Sequence, residues 1–232
     1  MIKRTLFPLL LLASSLVPGL TRAAELTEVE MRWLKAGSAV LNYAKQELKL
    51  PLDITVQPQA RPTDVPLALG YHSGRCKLVL SMRGNPNAED ILDNVPTAQR
   101  ALMIEAMVAH EIGHCWRYAQ GVWHAVPSGF EEGQAPADDA DAVHTIHALR
   151  DTRREEGYAD LVALAWIQQR HPTQYATVAD WMRQVRQPLP ATGSHSTLAW
   201  LQLAPTGAAF AAGLPLFEQA DRLWQQGLLQ DQ

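Results

Sequence analysis

Between Glu25 and Leu50 the apolar residues Leu26, Val29, Trp33, Leu34, Val40, Leu41, Ala44 and Leu48 recur at steps of three and four, which predicts one long amphipathic helix. Pro51 ends it. Leu52 to Val56 alternates as a short strand does, and the proline-bearing stretch 58–66 connects it to two further apolar runs, Leu67 to Tyr71 and Cys76 to Met82. The four residues between those runs, His72-Ser73-Gly74-Arg75, read as a turn, so the pair is expected to be a hairpin. After Asn94-Val95-Pro96-Thr97 no strand pattern returns. Thr97 is expected to cap a helix that carries Ala101, Leu102, Ile104, Met107, Val108 and Ile112 on its apolar side and runs to Tyr118 or Ala119. Residues 121–137, with three Gly and two Pro, read as a long loop, a cover directly after that helix. Asp138, Asp139 and Asp141 suit the start of the next helical stretch, which continues through Tyr158 to Ile167 with Arg150 as its weakest point. His171-Pro172 separates it from a helix through Trp181, 188–193 is a linker, and two helices close the chain. The pattern is α+β, predominantly helical, with a small N-terminal sheet.

The first 23 residues stand apart. Met1-Ile2-Lys3-Arg4 precedes the Leu-rich run Leu6 to Leu12, and Thr21-Arg22-Ala23-Ala24 offers small residues at its exit. That is the form of a secretory signal peptide, 1–23, leaving 24–232 as one exported domain. Pro8 and Pro18 interrupt the run, so no stable membrane insertion is expected after cleavage. Removing Lys3, Arg4 and Arg22 takes 20 basic residues to 17 against 24 acidic ones, a net charge of −7. A chain of that sign has no field to hold nucleic acid, and a periplasmic or secreted location follows from the leader. Two cysteines are too few for a zinc ribbon, so any metal must be held by histidine and carboxylate.

His110-Glu111-Ile112-Gly113-His114 supplies them. Histidines at i and i+4 on a helix present two imidazoles on one face, a two-point clamp for Zn²⁺. Glu111 lies beside the clamp, placed to take a proton from a water whose pKa zinc brings from 15.7 towards about 7. A catalytic zinc wants three protein ligands. The metzincin pattern would need Gly at position 117 and His at position 120, which are Arg117 and Gln120, so that class is excluded. Glu156 is the expected third ligand, and Asp160, one turn later, is expected to accept the N–H of a ligating histidine. Glu155 is placed in the shell behind the ligands, with His124, His144 and His147 as reserves. A di-iron carboxylate bundle would need a second E-x-x-H, which the chain lacks.

HEIGH followed by EGYAD resembles the gluzincin class of zinc metallopeptidases, and is most similar to the HtpX-like and prenyl-protein-protease-like families. The resemblance covers roughly residues 97–200. It implies a zincin-like domain with one Zn²⁺, a protein or peptide substrate, and the Cys76–Met82 strand as an edge that pairs with the substrate above the active-site helix. It also implies a histidine after the glutamate helix, for which Gly193-Ser194-His195-Ser196-Thr197 is the counterpart without its proline. His195 would then donate to the oxyanion, while Ser194, Ser196 and Thr197 also suit the start of a helix. Cys76 and Cys115 fall in elements that should be neighbours, so an oxidising compartment would join them. A scaffold that only binds a partner and a cell-wall peptide hydrolase are the alternatives, since HExxH activates water for any amide.

Overall fold

The computed structural model describes residues 25–128, 130, 140–187, 189–190 and 193–231. The leader, Asp138 and Asp139, and much of the expected loop lie outside these residues. Mixed α+β architecture is present, mostly helical, with one three-stranded sheet.

The expected first helix is divided. Thr27 caps α1 (Glu28–Ala36) in a capping box with Glu30, and α2 (Ser38–Asn42) runs on into a π turn, Tyr43–Glu47. Gly37 sits at the division because the chain there presses on Val108, whose Cγ2 would stand 2.6 Å from an added Cβ. No periodicity in residues 25–50 reports that distant neighbour.

Strands β1 (Leu52–Val56), β2 (Leu67–His72) and β3 (Arg75–Leu80) form the sheet in the order β1-β3-β2. The turn between β2 and β3 is tighter than expected, two residues with positive φ, Ser73 at 51° and Gly74 at 75°. A larger correction concerns the edge. β1 pairs parallel with β3 while β2 pairs antiparallel with it, so the strand at Cys76 is central and fully paired. Its inward residues Cys76, Leu78 and Leu80 are completely buried. The edge that faces the helices is β2.

Helix α3 (Thr97–Ala119) has Pro96, not Thr97, at its cap position. Helix α4 (Ala140–Arg170) is unbroken through Arg150. Helix α5 (Tyr175–Arg186) runs past Trp181 by more than a turn, and α6 (Leu198–Leu203) and α7 (Leu216–Leu228) follow. α3 and α4 pack along their length, and Gly113 makes that possible: a Cβ there would lie 3.0 Å from the Ala159 Cα. This close approach sets HEIGH against EGYAD. Among the described residues no helix is long and apolar enough to cross a membrane.

Candidate metal centre

On α3, His110 and His114 project from one face with their Nε2 atoms 3.1 Å apart. From α4, Glu156 places Oε2 3.3 Å from His110 Nε2 and Oε1 3.3 Å from His114 Nε2. Among the described residues these three are the group whose ligand atoms could share one ion. Two nitrogens and an oxygen are the donor set zinc prefers, and its bonds of 2.0–2.1 Å in a tetrahedron put neighbouring donors about 3.3 Å apart. The two nitrogens stand near that spacing, and each meets a different Glu156 oxygen at it.

Each ring is also oriented for the task. His110 Nδ1 donates to Asp160 Oδ1 at 2.8 Å, which leaves the Nε2 lone pair facing the cluster. His114 Nδ1 is buried without a partner, so Nε2 is the atom of that ring able to meet the others. Burial opposes charge on His110, yet the Glu156 carboxylate and the Asp160 hydrogen bond outweigh it and lift the ring to about 10. Burial likewise works against the Glu156 anion, but the facing histidines hold its carboxyl well below the usual carboxylate range. A group of donors of this kind suits a small cation.

Glu111 stays out of the cluster and faces the same cleft of about 370 Å³. Burial raises its pKa, and the Leu69 N–H donates to its carboxylate. That bond locates β2. Ser81 N–H donates to the Pro66 carbonyl, so the alternation of the antiparallel pair turns the backbone groups of Leu67, Leu69 and Tyr71 outward, towards α3.

His195 stands at the mouth, its side chain 53% exposed, with Nε2 3.5 Å from Glu156 Oε2 and Ser194 Oγ against its Nδ1 at 2.9 Å. Burial lowers its pKa. Other polar and aromatic residues near these motifs stand outside the cluster. Glu155 points away from the cluster, accepting from Arg117 Nε at 2.7 Å and from the His124 N–H at 2.8 Å. Adjacent residues on a helix diverge by about 100°, so Glu155 cannot share the face that Glu156 uses. With Arg117, whose Nη2 also reaches the Val122 and Ala125 carbonyls, it anchors the start of the loop after α3. His124 stacks on Trp123, and His144 is exposed on α4. Tyr158 is buried against Trp224, away from the cleft. Tyr118 lines the cleft in a stack between Tyr71 and Trp123. Cys76 and Cys115 are joined in a disulfide, with Cα atoms 5.7 Å apart, tying β3 to the residue after His114.

Two further residues at the site meet Asp160, a contact not foreseen from the sequence. Arg186 donates to Asp160 through Nε at 3.0 Å and Nη2 at 2.9 Å, and Thr197 donates its hydroxyl to Asp160 Oδ2 at 2.5 Å. A signal for Arg186 exists in the sequence. Tyr175, Val178, Ala179 and Met182 mark the buried face of α5, and position 186 continues it with a charge that must have a partner. Comparison with protein-family models, curated proteins and solved structures gives no match to this chain, so function rests on the geometry alone.

Proposed function

We propose that the chain is an exported zinc-dependent peptidase with one zincin-like domain over 24–232, of the gluzincin kind. The observation that carries this reading is the convergence of His110, His114 and Glu156 from two helices with Glu111 beside them in one cleft. His110, His114 and Glu156 would hold one Zn²⁺. When bound, zinc supplies acidity to a water and polarises the carbonyl of the scissile bond.

The residues divide the remaining work. Glu111, its carboxyl raised by burial and held by the Leu69 N–H, takes the proton of the attacking water and passes it to the leaving amine. Asp160 keeps His110 in the tautomer that offers Nε2. His195, at the rim, donates to the oxyanion. An extended peptide pairs with the outward backbone groups of β2, which takes the place expected of the strand at Cys76. The disulfide supports an oxidising compartment, in keeping with the expected leader.

Glu111→Gln tests the mechanism. It should retain zinc and lose peptide hydrolysis by about 10²–10⁴-fold, the size of a positioned general base. A mass-spectrometric digest of a broad peptide library reads the loss, and turnover at the wild-type rate would refute the role.

A further inference from the structure

Asp160 and Glu156 are carboxylates one turn apart on α4, and both are buried. Two like charges in that setting need more counter-charge than the one proton His110 can hold. Arg186, at the end of α5, spans both. Its Nε and Nη2 form a two-pronged contact with the two Asp160 oxygens, and Nη2 also reaches Glu156 Oε2 at 3.3 Å. Glu156 is thereby made asymmetric. Oε2 meets the guanidinium, His195 and, at 3.3 Å, His110 Nε2, while Oε1 has its contact with His114 Nε2 and none with the guanidinium.

We infer that Arg186 is a positioning residue that fixes Glu156 as a one-oxygen ligand. It does so by engaging Oε2 while it clamps Asp160 behind His110. The inference rests on the metal reading proposed above. A carboxylate free to turn could present both oxygens, raise the coordination number and fill the place that water needs. The planar fork of arginine can meet two carboxylates in fixed directions, whereas the single ammonium of lysine cannot. Thr197, the fourth donor to Asp160, completes the clamp from the α6 side.

Three measurements on the full mature chain decide the matter. X-ray absorption on the zinc-loaded wild type should give four light-atom neighbours, as a three-ligand site with one water requires, and five would overturn the inference. Arg186→Lys, loaded with Co²⁺, should show weaker visible bands as coordination rises above four, and its zinc affinity should fall by about 10–100-fold. Circular dichroism of the metal-free variant checks that the fold persists. A cobalt spectrum and zinc affinity unchanged from wild type, in a folded Arg186→Lys protein, would remove the role. In Arg186→Ala, added guanidinium should restore the four-coordinate cobalt spectrum, and no recovery in a folded protein counts against the role as well. A wild type that binds no zinc strikes the metal reading itself, whereas these variant results leave that reading standing.

Discussion

His110, His114 and Glu156 bring two imidazole nitrogens and two carboxylate oxygens together, with contacts of 3.1–3.3 Å, and Asp160 adds a second anion behind them. In the metal-free chain the nearest available cation is a proton, which is why His110 holds one up to about 10. Zinc needs the same lone pair. Below that value the ring is protonated and zinc must displace the proton, so apparent zinc affinity should rise with pH, by about tenfold per unit, until His110 is neutral. Isothermal titration near about pH 7.5 in two buffers of different ionisation heat should report about one proton released per zinc. No release would show that the ring is already neutral. At this scale much was legible: spacing alone marks His110, His114, Glu111, Glu156 and Asp160. Glu155 was misplaced because a residue adjacent to a ligand shares its sequence neighbourhood but not its helix face. What went unread is the contact of Arg186 and Thr197 with Asp160: the buried face of α5 asks only that Arg186 have a partner and Thr197 stands out only as a helix start, while the partner lies 26 and 37 residues away.

Among the elements, α3 and α4 carry the ligands and β2 carries the backbone edge above Glu111. Periodicity was enough to place α3, and the short apolar runs were enough to find three strands. Strand order was not legible. A hairpin can take a third strand on either side, and β1 lies parallel to β3, a pairing fixed by the whole fold and not by the turn. Helix α4 also runs on through Arg150, its expected weak point, since polar residues on a helix exposed to solvent do not interrupt it. The Cys76–Cys115 disulfide fastens the central strand to the helix turn that bears His114. Closing a 39-residue separation constrains the unfolded chain by roughly 4 kcal/mol in the chain-entropy model. Replacing both cysteines with serine should therefore lower Tm by roughly 10 °C, allowing about 2–4 °C per kcal/mol at this chain size. Calorimetry reads it, and a shift under about 2 °C would show that packing of β3 on α3 holds the strand without the bond.

For the whole molecule, composition and charge narrow the field more than they select within it. An acidic chain with an expected leader, a disulfide and no spanning helix among the described residues is compatible with export. The cleft between β2, α3, α4 and α5 then gives that chain one place where a metal and an extended peptide could meet. Everything functional in this account depends on metal binding by three residues. Elemental analysis of the purified mature chain, set beside His114→Ala prepared in parallel, examines that dependence. One zinc per wild-type chain and its loss from a folded His114→Ala protein are the expected results. Zinc at full occupancy in His114→Ala, or none in wild type supplied with the metal, would contradict the assignment of the centre.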